Sequence, residues 1–139
     1  MRTLMQVYNY FFYKIHLFYN KIGEKDMPGL YAVCIISLIE SFNILSLFFI
    51  YELVFKVDLN KIEKNYVYVI FFLFFILNYI YFYRRKGKLN IIKEYNSISP
   101  DKRKLFNLYF YFYLGSSVAI LVILIAIIRN YARTAAGNG

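Results

Sequence analysis

The stretch that decides the fold is residues 30–52, LYAVCIISLIESFNILSLFFIYE. As an α-helix it would extend about 35 Å at about 1.5 Å per residue, enough to cross the hydrocarbon core of a bilayer with some tilt. The run is apolar except near its middle, where Glu40 stands. A carboxyl group at that depth is costly, and such residues pair with other polar groups or mark a functional position.

Two more runs of the same kind follow. Residues 66–83, YVYVIFFLFFILNYIYFY, carry no charge and have tyrosines at both ends, as expected of an aromatic belt. Their aromatic and β-branched residues weaken a helix in water. In lipid the need to satisfy every backbone polar group overrides that preference. Residues 105–128 end in VAILVILIAII, with Arg129 and Arg133 beyond. The three runs predict an all-α integral membrane protein with three transmembrane helices, forming one membrane domain over residues 1–139.

Before the first run, Leu4, Tyr8, Phe11, Ile15, Phe18 and Ile22 recur at helical steps and share a face. Gln6, Asn9, Tyr13, His16 and Asn20 lie on another side. Residues 1–22 therefore predict an amphipathic helix lying in the headgroup region. A spanning helix here would place Asn9, Lys14 and His16 in hydrocarbon, which needs a partner helix over the polar side. Residues 23–29, GEKDMPG, form a break, with Gly23 suited to a helix C-cap, Asp26 to an N-cap and Pro28 to a first helical turn.

Residues 53–65 read as a short connection of mixed charge. Residues 84–104, RRKGKLNIIKEYNSISPDKRK, set eight lysines and arginines against Glu94 and Asp101. Within them Leu89, Ile91, Ile92 and Tyr95 suit a short surface helix, and Ser99, Pro100 and Asp101 start the next one. Residues 134–139 read as a flexible tail.

Composition supports lipid as the solvent. The chain is 60% apolar and 22% aromatic, against roughly 45–50% apolar in soluble domains. The net charge of +9 comes from cations that flank the apolar runs. That placement suits membrane flanks and argues against a nucleic-acid surface. The N-terminal segment and the second connection carry twelve Lys and Arg, the other side five. The positive-inside bias then puts the N-terminus in the cytoplasm and the C-terminus outside, as in a bacterial inner membrane protein. No cleavable leader is expected, because Lys14 and His16 interrupt the N-terminal apolar pattern. The single cysteine, Cys34, reads as a small buried hydrophobe.

Around Glu40, the side chains of Ser37, Ser41 and Asn43 cover one broad side of the helix. Gly115, Ser116 and Ser117 lie at a matching depth of about 15–18 Å in the third run. Ser37 with Ser41, and Gly115 with Ala119, are small pairs at the spacing that lets helices approach closely. This predicts first and third spans packed together, with Glu40 facing Ser116 or Ser117. Asn78, about 8 Å from the same boundary, would join through water. Burial with no cation at that depth favours the neutral acid. The layer of Ser37, Glu40, Ser41, Asn43, Asn78, Ser116 and Ser117 then either fixes helix packing or holds a hydrated proton or cation, as in a ring of protomers.

The basic patch of Arg84, Arg85, Lys86, Lys88, Lys102, Arg103 and Lys104 reads as a topology determinant. Its alternative role is docking to anionic lipid or an acidic partner. His16 reads as an interfacial polar residue, with pH sensing as the alternative. Glu52, Asp58 and Glu63 are scattered carboxylates, and no nucleophile–base set, phosphate loop or metal-ligand spacing occurs. No enzyme, cofactor or metal site is expected. The expected role is an accessory or interaction subunit of a membrane assembly, with other membrane subunits or the chain itself as partners. The alternatives are a homo-oligomeric pore or membrane-perturbing effector in defence or toxin competition, and an immunity protein against a membrane toxin.

Overall fold

The breaks read from the sequence become helix ends. The computed structural model describes residues 2–24, 26–55, 64–85 and 87–137, and every regular element among them is helical. These are α1 (Arg2–Lys21), α2 (Pro28–Phe55), α3 (Lys64–Tyr79, continuing as a π-helical stretch, Ile80–Arg85), α4 (Lys88–Asn96) and α5 (Pro100–Gly137). Most of the first connection, 56–63, lies outside the described residues. So do Lys86 of the basic patch and the Arg85 side chain. Three helices are long and apolar enough to cross a membrane, at Pro28–Tyr51, Val67–Arg84 and Pro100–Ile127.

Gly23 ends α1 at φ 96°, a conformation that costs glycine little. There the Glu24 N–H reaches back to the Tyr19 carbonyl at 3.1 Å, closing the helix as a C-terminal glycine commonly does. Pro28 opens α2, and the Met27 carbonyl accepts from the Leu30 and Tyr31 N–H groups. Gly29 lies where α2 meets the end of α3, and a Cβ there would come within 2.6 Å of the Tyr83 hydroxyl. Pro100 opens α5 as expected. The helix then runs through 134–137, where a tail was expected. Thr134, Ala135 and Ala136 contain no breaker, and alanine is the best helix former.

The main departure concerns α1. It runs antiparallel beside the first half of α2, from Tyr19 stacked on Tyr31 to Tyr8 hydrogen-bonded to Glu40. The π-helical end of α3, α4 and the start of α5 pack around it. Its middle is buried on all sides, contrary to the expectation of a helix resting on a surface. Asn9, Tyr13 and His16 from the polar side and Phe11 and Ile15 from the apolar face are buried, whereas Leu4, Phe18 and Ile22, with Gln6 and Asn20, are exposed nearer its ends. For Asn9 and Tyr13 the physical reason is partner supply. The Tyr81 hydroxyl donates to Asn9 Oδ1 at 3.1 Å, Tyr13 donates to Asn96 Oδ1 at 2.9 Å, and Tyr95 donates to the Gln6 carbonyl at 2.7 Å. Satisfied in this way, polar atoms can leave water at little cost.

The core is aromatic and centred on α1. Phe12 stacks on Phe82 with ring centroids 4.4 Å apart, and Tyr10 contacts Tyr95 and Phe106 at 5.7 and 5.4 Å. Each such pair is worth about 0.5–1.5 kcal/mol beyond the area it buries. Ile91 and Tyr95 of α4, expected on a short surface helix, close this core, while Leu89 faces outward. Beyond the Asn43–Tyr113 contact the long helices present mostly outward apolar side chains, including Leu47, Phe72, Leu73, Val122 and Ile123.

Candidate functional site: a polar cluster around Glu40

Three helices bring polar groups to Glu40. Its Oε1 is 2.8 Å from the Tyr8 hydroxyl of α1, and its Oε2 accepts from Asn78 Nδ2 of α3 at 2.6 Å. The Tyr8 hydroxyl also bonds Asn78 Oδ1. Asn78 Nδ2 donates in addition to Ser37 Oγ at 3.0 Å, while the Ser37 hydroxyl donates to the Val33 carbonyl at 2.8 Å. Ser37 and Asn78 are buried and Glu40 is half-buried. Burial, and then the adjacent Glu40, push the Tyr8 hydroxyl well above the ordinary tyrosine range, so it stays protonated.

Glu40 thus finds Tyr8 and Asn78 instead of Ser116 or Ser117. Counting residues from the helix ends set Asn78 at a shallower level than Glu40. However, side chains lean toward the N-terminus of their own helix. Because α2 and α3 are antiparallel, Glu40 and Asn78 lean toward each other and meet without an intervening water. Tyr8 was missed because it was assigned to the apolar face of a surface helix. Its hydroxyl, on the residue next to Asn9 in a helix rich in tyrosine, was the available signal.

The other layer residues divide. Ser41 is buried and donates to the Ser37 carbonyl at 2.7 Å. The Ser37 end of the small pair meets α3 rather than α5, through Asn78. Asn43 Nδ2 donates to the Tyr113 hydroxyl of α5 at 2.7 Å. Ser116 turns back to the Tyr113 carbonyl at 3.0 Å, and Ser117 is half-buried. Gly115 and Ala119 face outward, and a Cβ on Gly115 would meet nothing within 4 Å. The contact of α2 with α5 therefore does not run through Gly115 and Ala119 but through the Asn43–Tyr113 bond, while Phe110 and Tyr113 pack on Phe11 of α1. A cavity of about 510 Å³ opens between α1, α2 and α5, with Tyr8 and Glu40 on one side and Ser116 on the other.

At the end of the bundle near α4, Arg84, Lys102 and Lys104 are exposed and Lys88 is half-buried. Arg103 is engaged within the fold, where its Nη2 donates to the Asn96 carbonyl at 3.3 Å, at the end of α4. A cation there also complements the helix dipole. Lys14, outside the expected patch, donates to Asn107 Oδ1 at 2.8 Å and lies over the Tyr111 ring. Among the described residues no group of three His, Cys, Asp or Glu side chains could hold a metal ion.

His16 is 6% exposed, and neither ring nitrogen has a hydrogen-bond partner among the described residues. Burial, and then the nearby Lys88 charge, lower its pKa from the ordinary 6.5. The unfolded chain then binds a proton over an interval in which the folded chain does not. Stability falls as pH drops through 6.5 toward the lowered value. Substitution His16→Phe should remove that acid sensitivity and stabilise by about 1 kcal/mol at neutral pH. Thermal unfolding in detergent from pH 5 to 8 measures both effects. An unchanged acid limb would refute the assignment.

No protein-family model, curated protein or solved structure matches the chain.

Proposed function

We propose that the chain is a three-span integral membrane protein that serves as a non-enzymatic accessory or interaction subunit of a membrane assembly. In this reading α2, α3 with its π-helical end, and α5 cross a bacterial inner membrane. The N-terminus and the basic α3–α5 connection face the cytoplasm, and the C-terminus lies outside. In this frame α1 is a helix lodged in the cytoplasmic half of the bundle, covered by α4, rather than one resting on the lipid surface.

The observation that carries the reading is the outward face of α5. Gly115, Val118, Ala119, Val122 and Ile123 line a shallow open trough on it, and exposed apolar residues of α2 and α3 continue the band. In water such a surface would drive association or aggregation. In lipid the aliphatic part is at home, and the small pair Gly115 and Ala119 offers a place for another transmembrane helix to pack. Glu40 is engaged with partners of its own chain, so a ring of Glu40 side chains forms no part of this proposal.

Purification from the native membrane in mild detergent, with the particle mass and its proteins determined, tests the reading. A stoichiometric foreign subunit supports it. A single self-assembled ring with conductance would replace it with the pore reading, and stable capture of a membrane toxin with the immunity reading. The substitution Gly115→Leu should reduce the recovered partner about tenfold while leaving the helix content unchanged, because the trough lies outside the chain's own core. Undiminished recovery would move the interface elsewhere.

A further inference from the structure

The cavity between α1, α2 and α5, of about 510 Å³, falls within the size of small-molecule sites, about 300–1,000 Å³. Its walls are apolar and rich in rings, with Phe11 of α1, Ile36 and Ile39 of α2, and Phe110 and Phe112 of α5. Phe11 meets Phe110 edge-on with ring centroids 5.1 Å apart, so one wall is a pair of packed rings. Leu4 and Phe112 border the cavity and are exposed, which leaves it open to the outside of the bundle. In the membrane reading that outside is hydrocarbon.

Two polar groups that line the cavity have hydrogen-bonding capacity left. The Tyr113 oxygen accepts from Asn43, but the Tyr113 hydroxyl hydrogen meets no acceptor among the described residues. Glu40 accepts from Tyr8 at one oxygen and from Asn78 at the other. In either protonation state it keeps a spare lone pair. Asn43, which holds the Tyr113 hydroxyl, is three residues from Glu40 on α2, so the two groups stand about one helical turn apart.

We propose that this cavity binds a neutral, lipid-soluble phenol, which enters from the membrane, lays its ring against Phe11 and Phe110 and sets its hydroxyl between Tyr113 and Glu40. The chemistry of the two groups selects the hydroxyl. A ketone has no hydrogen to give Glu40, and an ammonium group has no lone pair for Tyr113, whereas a hydroxyl has both. No lysine or arginine lines the cavity, so an anionic head would lose its hydration without compensation. Walls of aromatic rings favour a flat ring, through edge-to-face and offset contacts, over a flexible chain. The accessory-subunit reading concerns the outward face of α5 and stands or falls separately.

The full chain in lipid nanodiscs tests this with thymol and with p-cymene, the same ring and alkyl groups without the hydroxyl. Binding is read as uptake above that of empty nanodiscs of the same lipid. Saturable uptake of thymol is expected, on the order of tenfold tighter than that of p-cymene. No saturable uptake, or equal affinity for the two compounds, would overturn the proposal. This comparison uses the wild-type chain and needs no variant to fold. Tyr113→Phe should then lower thymol affinity to that of p-cymene, and Ile39→Trp, which fills the cavity, should weaken both compounds. Full thymol affinity in either folded variant would overturn the assignment to this cavity.

Discussion

Replacing Asn78 with leucine is expected to destabilise the bundle by about 3 kcal/mol or more, the largest effect of any polar substitution in the chain. Asn78 is buried and bonds Tyr8, Ser37 and Glu40, so it joins all three helices of the cluster. Leucine matches its bulk but leaves Ser37 Oγ and Glu40 Oε2 without a donor and the Tyr8 hydroxyl with one acceptor fewer. Each buried polar group left unpaired costs about 1–3 kcal/mol. The matched control is Asn43→Leu, which removes the Asn43–Tyr113 bond and leaves the Glu40 cluster intact. It should cost about 1 kcal/mol. Denaturant unfolding of both variants in micelles, followed by far-UV circular dichroism, gives the comparison. Equal losses would mean that the cluster around Glu40 contributes no more than an ordinary contact.

The second large effect is expected at Phe82. Substitution to alanine should cost about 3–5 kcal/mol, the range for truncating a fully buried aromatic ring. Phe82 is 0% exposed and lies in the π-helical end of α3. It stacks on Phe12 at 4.4 Å and on Tyr8 at 5.3 Å, so it carries much of the contact between α3 and α1. Phe72, on the same helix but outward-facing, is the contrast. If it meets lipid, Phe72→Ala exchanges one apolar contact for another and changes stability by less than about 1 kcal/mol. Unfolding in bilayer nanodiscs separates the two. A large loss at Phe72 would place that face against protein.

These two positions also show where reading the chain alone reaches its limit. The runs that became α2, α3 and α5 were legible because length and hydropathy are local properties, and the end of α1 and the starts of α2 and α5 were legible because Gly23, Pro28 and Pro100 act on their own backbone. Glu40 stood out for the same reason: it is one carboxyl group in a long apolar run. Its partners were not legible. The pairing with Asn78 depends on the opposite lean of side chains on antiparallel helices, and the pairing with Tyr8 depends on where α1 docks. Gly115 and Ala119 formed a correct small-residue pattern, yet the pattern did not say whether the pair faced inward or outward.

The amphipathic reading of α1 shows the same division. Its helical pattern was legible, but what would surround it was not. In a soluble or surface helix the polar face meets water. Here Tyr81, Tyr95 and Asn96 supply hydrogen bonds that water would have supplied, and the middle of α1 is buried on all sides. Sequence by itself determined which segments are helical, which are apolar enough for lipid, and that Glu40 would need a partner. Only the tertiary structure decided that α1 is the hub of the core and that Glu40 meets Tyr8 and Asn78. The physical reason is that helix formation and hydrophobicity are set within a few residues, whereas hydrogen-bond satisfaction is set by which distant groups arrive together.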